Sequence, residues 1–393
     1  MAEPQAERPS RGRMIAVRVL VLLGAVFAAV ALLAGYVRWQ ALDTETVRGT
    51  AGDLIADEDV REQIAASLVD SLFTNVDVEA QLQERLPPEQ QALAGAITGA
   101  VRELSDRAAN RMLERPRAQA LWVDTVAFSH EQLTNVLEDD VQGVTTEGGV
   151  VFLDLRPLVI ELGNRVPVVG RIAAQLPDDA GRIKLIEADQ LETAQDITAA
   201  LDFVGSWLWV VPLLLWALAL WLAKGRRRTT LRAIALASIV VGLFVLVVRR
   251  VAGAYIVDEL VATTSAEQAV RDAWSILTSL LAEGAWTVIG IGVLVLVGAW
   301  LAGPGRSGTA ARGELAPFLA RPGIAFGAAA ALFLLVVLWA PTAQTTRLPQ
   351  MLALALLLAL GVEVLRRQTA REHPEAAGVD LGEHLRGRFA RRP

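Results

Sequence analysis

The chain is 393 residues long, 53% hydrophobic, 6% aromatic and 20% charged, with a formal charge of −6, three histidines and no cysteine. The missing cysteines exclude disulfide frameworks, thiolate metal sites, iron–sulfur clusters and cysteine nucleophiles, and two of the histidines, His373 and His384, fall in the C-terminal tail. Mean hydropathy is +0.40, with the apolar residues gathered into long runs instead of short periodic bursts, which points to a membrane protein.

A bilayer core about 30 Å thick needs roughly 20 apolar residues of helix. Six stretches meet that requirement: 19–37, 203–223, 233–248, 284–302, 323–340 and 348–365. The first follows a basic leader, residues 1–18, with Arg8, Arg11 and Arg13. Its apolar run exceeds the roughly 7 to 15 residues of a signal core and no small-x-small cleavage site precedes Tyr36, so it reads as an uncleaved anchor. The third stretch is short, but Arg232 and Arg249 can snorkel from its ends. The expected fold class is an all-α polytopic membrane protein with six transmembrane helices.

Orientation follows from the basic residues between spans. The leader, the loops 224–232 and 303–322 and the tail, with Glu363 at the inner end of the last span, together carry 19 basic and 8 acidic residues, which makes this side cytoplasmic, both termini included. Residues 38–202 carry 14 basic and 30 acidic residues and fall on the other side with 249–283. Trp39, Trp207, Trp209, Trp286 and Trp339 lie at the outer ends of spans, and Trp221 and Trp300 at the inner ends, where amphipathic indoles settle.

Residues 38–202 are long enough for a core of their own. Asp59 and Glu62 read as an acidic helix start, followed by Val60, Ile64, Leu68 and Leu72 at helical spacing. Asp77 opens a short helix that Pro87 and Pro88 stop. From Glu89 to Arg115, Leu93, Ile97, Val101, Leu104, Ala108 and Met112 form a stripe, which Pro116 ends. A helix over about 117–138 carries Leu121, Trp122, Val126, Leu133 and Leu137, and antiparallel packing of these last two helices would bury both stripes. The period then changes: Val150 to Leu155 and Arg182 to Glu187 read as strands, a two-stranded β element expected to be parallel through the crossover 157–175. A helix from Gln190 leads into the second span. Residues 249–283 form a smaller helical excursion expected to pack on the larger domain, and the basic tail 366–393 is expected to be disordered.

His130, the one histidine outside the tail, shares a helix face with Trp122 and Val126. That position favours a core role over catalysis or metal binding, and it is the single candidate site residue. The acidic clusters Asp57-Glu58-Asp59, Glu138-Asp139-Asp140 and Asp178-Asp179 offer oxygen ligands for a cation such as calcium, but lack the EF-hand spacing and glycine; they read as helix starts and solvated loops. Gly323 with Gly327, and Gly24 with Ala28, permit close helix contact. No Walker, GxSxG or SxxK motif occurs. One anchor, a large outer domain and five further spans is also the layout of half of a resistance-nodulation-division transporter, yet such proton-driven machines need ionisable residues at mid-membrane depth, and these spans have none at their centres.

Trp39 to Val47 with Asp43-Thr44, the helix start Asp57 to Val60, Leu121-Trp122 followed by His130, Leu153-Asp154-Leu155 before Pro157, Gln190-Leu191 with Gln195, and Trp300-Leu301-Ala302-Gly303-Pro304 occur in that order. Over residues 18–312 this ensemble resembles an uncharacterised family of integral membrane proteins of high-GC Gram-positive bacteria (actinobacteria), with a large helical extracytoplasmic domain after the first span. Ala51-Gly52-Asp53 departs from that family's commonest pattern. The resemblance brings no activity, cofactor or site residue with it.

The expectation is therefore a non-enzymatic protein of the plasma membrane and cell envelope, needing no cofactor or metal and no nucleic acid. Its partners would be the lipid bilayer and an envelope protein or wall component met by the acidic outer domain. The alternatives are a transporter or transporter subunit for lipid or drug, and an envelope hydrolase using His130.

Overall fold

The computed structural model describes residues 11–75, 93–138, 144–147, 150–154, 182–260, 264–339 and 348–374, with isolated positions between 80 and 91. Nearly all of these are helical. Four helical stretches, Arg11–Leu42, Thr193–Leu222, Arg227–Glu259 and Ser279–Leu301, are long and apolar enough to cross a membrane, and a fifth arises if Arg306–Leu319 and Pro322–Leu335, bent by 108°, count as one broken span. These stretches expose Leu22, Val26, Leu214, Val240 and Val247, a surface suited to acyl chains and costly in water.

The chain forms two compact units. Residues 34–207 and 252–278 make the first of them. It includes α2 (Thr44–Ala56), α3 (Glu58–Asn75), α4 (Ala94–Leu113) and α5 (Pro116–Leu137). Strands β1 (Val144–Glu147), β2 (Val150–Asp154) and β3 (Arg182–Glu187) follow, then α6 (Ala188–Trp207) and, after the return of the chain, α9 (Thr264–Leu277). Helix α1 (Arg11–Leu42) precedes them in sequence. Asp43 caps α2, its carboxylate accepting from the Thr46 amide at 2.8 Å, and Asp57 starts α3 by accepting from the Val60 amide at 3.1 Å; each satisfies an amide the helix leaves over. Arg61 closes the other end of α2, donating to the carbonyls of Ile55 and Ala56 and to Asn110 of α4.

Here the packing departs from expectation. Helix α5 packs on α2 and α4 packs on α3, so the two later helices bury their faces mainly against earlier ones and only marginally against each other. The buried faces are set by small side chains: Ala51, Ala65, Ala94 and Ala127 are 3%, 1%, 0% and 1% exposed. In α3 the buried line runs through Val60, Ala65 and Val69 and leaves Leu68 exposed, and in α4 most of the expected stripe faces outward. Close approach of backbones rewards alanine at the seam and rotates the larger residues to the flanks. Helix α9 packs on α3 and α2.

The β element is a three-stranded antiparallel sheet in the order β1-β2-β3, with Thr145 opposite Phe152 and Leu153 opposite Ile183. The expected parallel pair is corrected: β2 and β3 run in opposite directions, and the hairpin strand β1 was not foreseen.

Residues 1–33, 208–251 and 279–393 make the second unit. It includes α7 (Val210–Leu222) and the start of α8 (Arg227–Leu260). The rest is α10 (Ser279–Leu301), α11 (Arg306–Leu319), α12 (Pro322–Trp339) and α13 (Leu348–Glu372). Val17, Val21, Ala219, Ala223 and Ile234 form its core cluster, and Trp216 donates from Nε1 to the Val21 carbonyl at 3.3 Å, its ring occupying the space that a side chain on Gly24 would need. Helices α8 and α10 run antiparallel in near backbone contact. A Cβ on Gly242 would stand 2.7 Å from the Ala285 carbonyl, and one on Gly292 would stand 2.9 Å from that of Ala235. Gly323 and Gly327 make no such close contact among the described residues of the chain, since a Cβ on either would meet nothing within 4 Å.

Two expected boundaries change. The loop 303–322 is largely helix α11, and residues 366–372 of the expected disordered tail continue α13. The reason is Arg312, 1% exposed. It reaches the carbonyls of Leu301 and Gly303 at the end of α10 and pairs with Glu372 through two hydrogen bonds. Arg232 donates to the Ala299 carbonyl at 3.1 Å and Gln368 to that of Ala302 at 3.1 Å. A helix C-terminus presents unsatisfied carbonyls and partial negative charge, and here two guanidiniums and an amide cover it.

Candidate functional site

His130 lies on α5, half-buried. Its Nε2 is 3.1 Å from the Ala41 carbonyl and its Nδ1 is 3.1 Å from Thr44 Oγ1. A carbonyl only accepts, so Nε2 donates to Ala41, and in the neutral ring Nδ1 accepts a hydrogen bond from the Thr44 hydroxyl. Both ring nitrogens are thus spent on the segment that joins α1 to α2. The imidazole acts as a strut between α5 and that joint, and no lone pair is left to face a substrate or a metal.

Asp57 starts α3 as the helix-start reading expects, and the packing of α9 adds a third carboxylate to the group. Asp57, Asp59 and Asp272 bring carboxylate oxygens within 4.8 Å of one another. Asp59 is exposed and the other two half-buried. The Asp59 carboxyl is held above the ordinary carboxylate range, first by desolvation, then by the neighbouring charges of Asp272 and Asp57. Three carboxylates so placed supply the hard oxygen donors that a divalent cation takes, although one oxygen of Asp57 already accepts from the α3 amide. Asp272 was not singled out in the sequence: it sits on α9, and only the packing of that helix on α3 brings it here. Asp139, Asp140, Asp178 and Asp179 of the other clusters lie outside the described residues.

The remaining feature is a row on α4. Leu93, at the helix start, Val101, Leu104 and Met112 are 54%, 39%, 61% and 64% exposed. Their spacing places the four within about a quarter of the helix circumference, and the described residues do not cover them. Leu121 and Leu133 of α5 are exposed as well. An apolar row of this size left in the open is unusual for a folded surface, and on α4 itself Arg102, Glu103, Asp106, Arg107 and Arg111 share the helix with it. The periodicity predicts these α4 residues on one face, which the structure shows, and expects that face in the core, where it does not lie.

No family model, curated protein or solved structure matches the chain.

Proposed function

We propose that the chain is a six-span protein of the plasma membrane with cytoplasmic termini, in which the acidic helical unit lies outside the cytoplasm and binds a protein of the cell envelope without catalysing a reaction. The sequence resemblance to an actinobacterial membrane family agrees with this placement. The observation that carries the reading is the row Leu93, Val101, Leu104 and Met112, left exposed on α4. The segment 38–202 has more than twice as many acidic as basic residues. The partner this unit fits therefore has an apolar stripe that meets the row, with burial supplying affinity, and a basic surface that meets the wider acidic segment, with charge supplying orientation.

The test is a photo-crosslinking residue at position 104 of the full chain in native membranes. The expected result is one discrete adduct that Leu93→Glu abolishes and that fades as salt rises, with a basic surface on the captured protein. A position on the opposite face of α4 gives no such adduct. Crosslinks that are equal on both faces of α4, or insensitive to Leu93→Glu, overturn the reading.

A further inference from the structure

A cavity of about 610 Å³ opens between α1, the turn after α7 and the first turns of α8. Its two long walls are apolar: Val17, Val21 and Ala25 on one side, Ala233, Ala237 and Val240 on the other. At a rise of 1.5 Å per residue they extend roughly 12 Å along the helix axes. Its mouth has the opposite character, since Arg13, Arg18, Lys224 and Arg226 line it and no carboxylate does.

The fold builds this mouth deliberately. Gly225, at φ 83°, makes the turn between α7 and α8, a conformation that other residues adopt only with strain. The flanking Lys224 and Arg226 both face the cavity. Arg13 donates from Nε to the Leu222 carbonyl at 2.6 Å, which fixes its guanidinium at the rim. A guanidinium has five N–H donors, so further donors stay available. The Arg226 Nη1 leans on Met14 Sδ at 3.4 Å, and the Lys224 ammonium lies 5.8 Å above the Trp221 ring. Arg18 has no hydrogen bond or ion pair among the described residues. Four cations around one opening repel one another unless an anion joins them.

We infer that this cavity is a binding site for an anionic phospholipid, with one acyl chain between the apolar walls of α1 and α8 and the phosphodiester among Arg13, Arg18, Lys224 and Arg226. The depth, the apolar walls and a charge at one end that no carboxylate among the described residues compensates match an amphiphile, and basic openings between membrane helices favour anionic headgroups. A zwitterionic lipid fits the walls equally but brings its own cation to the mouth. This inference rests on the membrane-spanning character of α1 and α8 and is independent of the partner proposed for the acidic unit.

The experiment is native mass spectrometry of the full-length protein in mild detergent, titrated with phosphatidylglycerol or with phosphatidylcholine of the same acyl chains. Wild type is expected to hold phosphatidylglycerol at least tenfold more tightly. Each cation removed costs about fivefold in affinity, so Arg18→Gln with Lys224→Gln is expected to weaken phosphatidylglycerol binding about thirtyfold while leaving phosphatidylcholine unchanged. Ala237→Phe, which fills the apolar part and keeps every cation, is expected to weaken both lipids. Equal binding of the two lipids by wild type overturns the inference, as does undiminished phosphatidylglycerol binding by the double variant. Displacement of the lipid by glycerophosphoglycerol as effective as that by intact phosphatidylglycerol overturns the role of the acyl chain.

Discussion

Arg312 and Glu372 meet in a two-pronged ion pair, Nε to Oε2 at 2.7 Å and Nη2 to Oε1 at 3.0 Å. The arginine is 1% exposed and the glutamate 35%. Removing one partner of a buried pair strands the other, at about 3 kcal/mol. Arg312→Leu also uncovers two carbonyls of α10, and is expected to cost about that much in thermal unfolding of the detergent-solubilised protein. Glu372→Gln keeps one acceptor and is expected to cost about 1 kcal/mol. The Glu372 carboxyl is held below its ordinary 4.5, chiefly by its hydrogen bond from Arg312. A depressed folded value means that the stabilisation is whole above pH 4.5 and drains away as the pH falls below it. The wild type and Glu372→Gln should therefore converge in melting temperature in acid; parallel curves down to pH 3 would contradict this.

Asp59 has the opposite sign. Its carboxyl is held above 3.8, first by desolvation and then by Asp272 and Asp57, so ionising it works against the fold at neutral pH and protonating it relieves that opposition. Asp59→Asn is expected to melt higher than wild type at pH 7, with the gap closing as the pH drops through the carboxyl range. A variant no more stable than wild type at pH 7 would show that the three carboxylates do not strain one another.

Gly242 and Gly292 sit where any side chain meets a carbonyl of the facing helix. Gly242→Leu or Gly292→Leu is expected to cost about 2 kcal/mol through overpacking, seen as a lower melting temperature in detergent. A Cβ at Gly323 or Gly327 meets nothing within 4 Å, so Gly323→Leu and Gly327→Leu should melt no lower than wild type. Gly242→Leu and Gly292→Leu variants that melt no lower than wild type would show that the α8–α10 seam has room for side chains.

The absence of cysteine makes the orientation directly readable. Arg115, on the acidic unit, and Arg306, at the start of α11, are both exposed. In intact cells a membrane-impermeant maleimide is expected to label Arg115→Cys and to spare Arg306→Cys until the membrane is opened. The reverse pattern would invert the proposed topology.

Much of this architecture was written in the sequence in a form that simple periodicity reads. Long uncharged runs mark spans because hydrocarbon admits no unpaired charge, and Pro116 marks a helix start because its missing N–H is no loss there. Other parts depend on partners distant in the chain. Nothing around Arg312 announces Glu372, and the small residues Gly308 and Gly313 with Pro317 disguise α11 as a loop. The apolar stripe of α4 was legible as a face, but its burial was not, since only the neighbouring backbones decide whether Leu104 or Ala94 turns inward. The direction of β3 likewise escapes composition, because parallel and antiparallel partners draw on the same residues. Asp272 joins Asp57 and Asp59 only once α9 has folded back on α3.

The carbonyl cluster at the end of α10 also has an order in time. Ribosomal synthesis delivers Arg232 first, the carbonyls of residues 299–303 next, Arg312 shortly after, and Gln368 and Glu372 last. A chain cut after residue 365 would contain every apolar run and still hold a buried guanidinium with no anion to meet it. The final turn of α13 is therefore the last of these groups to be made, and a copy that lacks it leaves the Arg312 guanidinium without its anion.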